Sequence, residues 1–200
     1  MPRLSRSESQ ARTRESLLAT ARELFMRDGY QATSVATVAD AAGFSTGAVY
    51  SNFDGKTGLA LAVLDQIHAE QLAEVSRIFA ANEGIDSKLT AFEEWAEAAM
   101  SGGWPRLELE FALDAKQETA LVEALVDRER GAVDAIAVAL RRYLEPLGLA
   151  DSIPVRTLAG AMLSLGIGVA IQRMVDPRVS VSGLIDLLRV ALAAVNSPAR

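Results

Sequence analysis

Between Thr33 and Lys56 the chain reads TSVATVADAAGFSTGAVYSNFDGK. The side chains there that could do chemistry are hydroxyls (Thr33, Ser34, Thr37, Ser45, Thr46, Tyr50, Ser51), one amide (Asn52) and one ammonium (Lys56), with Gly47 among them. Hydroxyls, amides and lysines bond phosphate oxygens and base edges. Acid–base, nucleophilic or metal chemistry needs other groups, and they are scarce. The chain has no cysteine and a single histidine, His68, and it shows no G-x-S-x-G motif, phosphate loop or metal-ligand spacing. Acidic pairs such as Glu93-Glu94 and Glu108/Glu110 read as solvated helix faces. The expectation is a binding protein without cofactor or metal, not an enzyme.

Positioning such a set takes local structure, and the same stretch supplies it. Thr33 or Ser34 can cap a first short helix, because a hydroxyl at the cap accepts a bond from an otherwise unpaired amide. Val35, Val38 and Ala39 give that helix one apolar face, and Gly43 stops it. Ser45 caps a second helix whose Ala48, Val49 and Phe53 face inward, leaving Thr46, Gly47, Tyr50, Ser51 and Asn52 outside. This spacing predicts a helix-turn-helix over about residues 34–53, whose second helix enters the DNA major groove.

Helices this short do not persist alone in water. From Gln10 to Asp28 a longer helix carries Leu17, Leu18, Ala21, Leu24 and Phe25 on one stripe and ends at Gly29, with Tyr30 behind it. Leu24 and Phe25 are the expected contacts to Val38, Val49 and Phe53. Residues 1–9 read as a polar arm in which Arg3 and Arg6 either reach along a groove or remain solvated.

A formal charge of −6 runs against nucleic-acid binding until it is divided. Residues 1–58 carry +1 and the remainder −7, so the body repels phosphate and favours one docking orientation. A modest salt dependence is expected, about −0.9 in log–log slope for each phosphate neutralised. The amino terminus has no apolar run of a secretory signal, which suggests a cytoplasmic protein. The uncharged run between Arg156 and Arg173 falls short of the roughly twenty residues a span needs, so it reads as a buried or interfacial helix.

The rest of the sequence is helical in pattern. A helix opening at Asp54-Gly55-Lys56 and running to about Ala80 would span about 36 Å and could act as a lever. Others are expected from Asp86 or Ser87 to Met100, from Trp104-Pro105 through Leu113, from about Glu118 to Glu145, from Pro154 to Met174 and from about Ser182 to Val195. The fold class is therefore all-α, with about nine helices. The expected division is a three-helix DNA-binding head over residues 1–55 and a larger helical body over 56–200.

Residues 21–59, ARELFMRDGYQATSVATVADAAGFSTGAVYSNFDGKTGL, resemble the DNA-binding head of the tetracycline-repressor (TetR) family. The resemblance rests on an ordered series: a helix ending LF, then GY, TS, VA, AG, a serine, G-x-x-Y, a phenylalanine and a lysine. It implies that Thr46 meets base edges, with Ser45 and Ser51 behind it, and that Gly47 lets the backbone approach a phosphate or a thymine methyl. It implies phosphate contacts for Tyr50 and Lys56, while Thr33 and Ser34 can serve as caps and phosphate donors, and Thr37 and Asn52 extend the set. The head departs from the pattern at Asn52, where a histidine is common. It departs again at Gly55 and Gly58, each of which costs about 0.5–1 kcal/mol against alanine in a helix. Fraying of the long helix's start in the absence of DNA is the expected result.

Two functions are expected of the body. Gly160, Ser164 and Gly168 make one helix face small, and with Leu184, Leu188 and Ala191 on the last helix they suggest the dimer interface that the resemblance implies, or else tight packing inside the subunit. Phe92, Trp95, Met100, Trp104 and Phe111, with His68 and Gln172 as polar partners, are the candidate lining of a ligand cavity or else plain core. The reading that unites these features is a homodimeric repressor that binds double-stranded, palindromic DNA and is released by a small apolar effector. The alternative is a DNA-binding regulator with no effector, acting constitutively or through a protein partner.

Overall fold

The computed structural model describes residues 5–115 and 119–196. The described residues form nine α-helices: α1 (Arg6–Asp28), α2 (Val35–Ala42), α3 (Thr46–Phe53), α4 (Gly55–Ala80), α5 (Ile85–Ser101), α6 (Trp104–Ala115), α7 (Thr119–Leu144), α8 (Val155–Val175) and α9 (Ser182–Asn196). A 3-10 turn, Glu145–Leu147, follows α7. The all-α architecture is the one the apolar spacing predicts.

The first helix begins a turn earlier than expected. The amide of Glu8 donates to Ser5 Oγ at 3.2 Å, and the Ser5 amide donates to the Glu8 carboxylate at 2.7 Å. This capping box satisfies two amides that a helix start leaves orphaned. Arg6 is thus a helical residue and not part of a free arm, while Arg3 lies outside the described residues. At the other end, α5 starts after Gly84 with no side-chain cap, so neither Asp86 nor Ser87 plays that part.

Two compact units emerge: Met1–Glu70 with Arg106–Asp114, and Gln71–Pro105 with Ala115–Arg200. The first unit therefore extends beyond residue 55, taking in the start of α4 and most of α6. Its core is built from Leu17, Ala21, Leu24 and Phe25 of α1, Val38, Val49 and Phe53 of the short helices, and Leu59, Val63, Leu64 and Ile67 of α4, all buried. Leu107 and Phe111 of α6 are fully buried as well. Each such large side chain contributes about 1.5–3 kcal/mol on leaving water. Tyr30 joins this core, its ring 5.8 Å from Phe25 and 5.3 Å from Phe111, the latter edge-on. Such pairs add about 0.5–1.5 kcal/mol beyond area burial. Arg22 of α1 grips Glu70 of α4 through two bonds of 2.6 Å, and this grip draws the Glu70 carboxyl below its ordinary range.

In the second unit α8 packs along α7, around Leu144, Ala150 and Val155 with Leu140, Tyr143 and Ile153 against them. Helix α9 packs on α5. Glu97 of α5 organises that side, accepting bonds from Ser180 Oγ at 2.7 Å, from the Val181 amide at 2.8 Å and from Arg173. Burial works against its charge, yet these three donors outweigh it and hold the carboxyl below its ordinary range. The rings of Phe79, Phe92 and Trp95 stack in sequence at 5.7 and 5.1 Å.

Helix α8 is 21 residues long and, by length and composition alone, apolar enough to cross a membrane. Little of it is covered in the single chain: Leu158, Leu165, Ile167, Ile171 and Met174 are exposed, as are Leu187 and Val190 of α9.

Candidate nucleic-acid interface

Two short helices joined by a tight turn are held by bonds that the sequence writes locally. Ser34 Oγ accepts the Thr37 amide at 3.0 Å and shares a hydrogen bond of 2.7 Å with the Thr37 hydroxyl. Gly43 closes α2 in the left-handed conformation, its amide donating to Asp40 O at 3.1 Å and that of Phe44 to Ala39 O at 2.8 Å. Those two bonds satisfy carbonyls that the helix end leaves open. Ser45 Oγ accepts the Ala48 amide at 3.3 Å and starts α3. Val49 and Phe53 anchor α3 in the core, and Ala48 is half-buried beside them.

The opposite face of α3 is open. Thr46, Gly47 and Ser51 are exposed, and Tyr50 is 61% exposed. A methyl placed at Gly47 would meet only Ser45 Oγ, at 3.6 Å, so a flat ligand surface can come to van der Waals contact with the backbone there. Ser34, Thr37 and Ser45 are exposed too.

Other predicted residues are committed elsewhere. Thr33 is 2% exposed and its hydroxyl donates to Gly29 O at 2.8 Å, so it neither caps α2 nor stands on the open face. Ser51 Oγ and Asn52 Nδ2 both donate to Ala48 O, at 3.0 and 2.8 Å, bending back over their own helix. Asn52 is half-buried. Lys56 is half-buried with Nζ 4.1 Å from the centroid of the Tyr30 ring. Burial pushes its pKa down, against the pull of the Asp114 and Glu110 carboxylates.

The two departures at Gly55 and Gly58 have a structural cause. A methyl at Gly58 would lie 1.7 Å from the Phe53 carbonyl oxygen. The first turn of α4 meets the end of α3 backbone to backbone, and no side chain fits. At Gly55 a methyl would lie 3.3 Å from Cε1 of Tyr50, so the Tyr50 ring rests over that residue.

Arg14 is a positioning residue that reading for exposed donors overlooks. Its guanidinium lies 4.2 Å over the Phe53 ring and donates to the Asn52 carbonyl. A cation there meets both the negative face of the ring and the negative end of α3, and it fixes the helix against α1. The signal was available in spacing: Arg14 precedes Leu17 and Leu18 by one helical turn and so lies on the apolar stripe. Phe44, in the turn itself and 37% exposed, is a second residue that pattern reading left without a role.

The candidate ligand residues are divided between the two compact units. His68 and Phe111 belong to the first unit, where His68 Nε2 lies 3.3 Å from Glu108 and Phe111 packs on Tyr30. Phe92, Trp95, Met100, Trp104 and Gln172 belong to the second, and of these Phe92 and Trp95 are in ring contact while Gln172 is exposed. The candidate dimer residues fare differently. A methyl at Gly160 or Gly168 would meet no atom within 4 Å, and Ser164 Oγ turns back to Gly160 O at 2.9 Å, leaving a smooth strip along α8. Leu184 and Leu188 are half-buried on α9, and the Ala191 side chain lies outside the described residues.

With this geometry in place, comparison with known proteins gives a consistent result. Residues 17–63 match the family model described as bacterial regulatory proteins, tetR family. The HTH-type transcriptional repressor ComR of Escherichia coli (strain K12) is 32% identical over 89 residues, 44% of this chain and 42% of the repressor, so less than half of that relative is matched. A TetR-family transcriptional regulator from Pectobacterium atrosepticum superposes with a TM-score of 0.72 at 25% identity, over 98% of this chain and 100% of its own. A chain solved as a candidate transcriptional regulator from Rhodococcus sp. RHA1 superposes with a TM-score of 0.76 at 19% identity, over 90% of this chain and 95% of its own. Residues 17–63 are therefore a TetR-family DNA-binding domain, carried on a chain whose helical fold is the one seen in solved TetR-family transcriptional regulators.

Proposed function

We propose that this chain is a cytoplasmic, homodimeric repressor that grips a palindromic operator and lets go when a small, largely apolar effector binds. The observation that carries the reading is the outward face of α3, where Thr46, Gly47 and Tyr50 stand free while Ser45, Val49 and Phe53 fix the helix from behind. Thr46 reads base edges, with Ser45 and Ser51 beside it. Tyr50, Ser34 and Thr37 hold phosphates, and Lys56 does so from the first turn of α4, where unpaired amides favour an anion.

Dimerisation is supported by the apolar surface of α8 and α9, which a single chain leaves open and which centres on the strip of Gly160, Ser164 and Gly168. Two-fold symmetry would set two reading helices about 34 Å apart, one turn of DNA, or at a related spacing. Residues 1–55, with Lys56, provide the DNA contacts, and the rest of residues 56–200 provides dimerisation and effector binding. The aromatic group of Phe79, Phe92 and Trp95, with Met100 and Trp104 nearby in sequence, offers the apolar surface an effector would use.

The test has two stages. Purified full-length protein is mixed with fragmented genomic DNA, and the retained fragments are sequenced; a palindromic motif is expected. Anisotropy on that motif then follows release by a panel of small apolar compounds. An effector need shift the balance by only about 1–3 kcal/mol to change occupancy 5- to 150-fold. Retention of DNA without any shared motif would sink the operator reading, and a motif that no compound releases would leave a repressor without a sensor.

A further inference from the structure

Lys56 is the one predicted phosphate ligand whose charged group is turned to other partners, and those partners are arranged around a single helix. Its ammonium sits over the face of Tyr30. Tyr30 is in turn fastened to α6: its amide donates to Glu110 Oε2 at 2.6 Å, and its ring meets Phe111 edge-on. The next residue is fastened as well, since Gln31 Nε2 donates to Asp114 at 2.9 Å. On the same helix Arg106 donates to the carbonyls of Met26 and Arg27, both at 3.2 Å, and lies 3.6 Å from Glu110. The chain makes room for this approach. A methyl at Gly29 would stand 2.7 Å from the Glu110 carboxylate. Helix α6 thus delivers two carboxylates to the region of Lys56 by bonds that leave little freedom.

We infer that Glu110 and Asp114 are positioning residues for DNA binding, which hold Lys56 over Tyr30 and compete with an operator phosphate for its charge. The inference rests on the proposed phosphate contact of Lys56. The ring and the two carboxylates draw on the same charge that an operator phosphate would, so a stronger hold by one weakens the hold of the other. The carboxylates favour the charged amine where it sits, against the burial that disfavours it. A DNA phosphate must overcome that pull before it gains the lysine. Removing one carboxylate should tighten DNA binding, and the gain should pass through Lys56 alone.

The experiment is a double-mutant cycle on the full-length protein with a retained genomic fragment, measured by anisotropy across a salt series. Asp114→Asn is the informative variant, because Asp114 is exposed and its amide replacement keeps an acceptor for Gln31. It is expected to raise affinity about two- to five-fold at low salt, the range of a partly exposed charge pair. In a Lys56→Met background the same change should have no effect, because the competed group is gone. Lys56→Met by itself should weaken binding and reduce the log–log salt slope by about 0.9. If Lys56→Met leaves affinity and slope unchanged, the phosphate contact fails and the competition with it. If Lys56→Met weakens binding but Asp114→Asn gives the same gain in both backgrounds, the effect is general repulsion and only the competition is overturned. A second readout needs no DNA: the Lys56 ammonium, followed by NMR of the lysine side chain, should titrate at lower pH in Asp114→Asn. An unmoved titration in a protein with a native melt would overturn the inference.

Discussion

The first compact unit shows solvent a polar face and the second an apolar one, and the two are finished in different ways. Around α3 many polar groups near the open surface are tied by hydrogen bonds: Ser45 to the Ala48 amide, Ser51 and Asn52 to Ala48 O within the helix, and Arg14 of α1 to Asn52 O. What remains free is small in number, mainly Thr46 and the Tyr50 hydroxyl region. On α8 and α9 the polar ties are few, such as Ser164 to Gly160 O and Arg173 to Glu97, and Leu165, Ile167, Ile171 and Val190 face solvent. A surface prepared for a charged polymer keeps its geometry through hydrogen bonds. A surface that another copy would cover, as proposed above, needs only shape and freedom from charge.

The largest test of this contrast is to charge the apolar face. Ile167→Asp should split the dimer, seen by sedimentation, and weaken operator binding about 10²- to 10⁴-fold through lost avidity, while the melt of the first unit is unchanged. A variant that stays dimeric would move the interface elsewhere. Next comes the backbone contact between α3 and α4. Gly58→Ala should cost about 1–3 kcal/mol by overpacking, read as a fall of several degrees in thermal midpoint. An unshifted melt would show that the two helices can part without loss. Smaller again is Tyr50→Phe, which should cost about 0.5–1.5 kcal/mol of DNA affinity, one hydrogen bond, with no change in dimerisation. Equal affinity would remove Tyr50 from the phosphate set.

The mildest effect concerns pH. Glu70 is held below its ordinary range by Arg22, and Glu97 by Ser180, Val181 and Arg173 in spite of burial. For a carboxyl depressed on folding, the stabilisation is present above the unfolded value, about 4.5, and is lost as pH falls through the folded one. Both units should therefore weaken below about pH 4.5, and Arg22→Gln should flatten that dependence in the first unit only. A pH profile unchanged by Arg22→Gln would show that the pair at 2.6 Å contributes nothing net.

Much of the first unit was legible in the sequence because its signals are local. A hydroxyl cap, a terminating glycine and an apolar stripe each act within one or two turns, so Ser34, Gly43, Ser45 and the core from Leu17 to Phe53 follow from spacing. The errors arise where distant segments meet. Thr33 reads as a cap until the carbonyl of Gly29 is seen beside it, and Lys56 reads as a free cation until α6 supplies Tyr30's anchor and two carboxylates. Gly58 reads as a defect until Phe53 O fills the space of its missing side chain. The apolar residues of the body show a related gap: helical spacing assigns an apolar face to each helix but not the neighbour that face will meet. Phe111 went to Tyr30, and Phe92 went to Trp95 and Phe79.

The close seat of Gly58 against Phe53 has one more effect on how the protein works. Gears with play between their teeth waste the first part of any turn, and here the play has been machined away. With Arg14 seated over the Phe53 ring and Gly58 against the Phe53 carbonyl, a roll of the first turn of α4 would be passed on to α3, the helix proposed to read DNA.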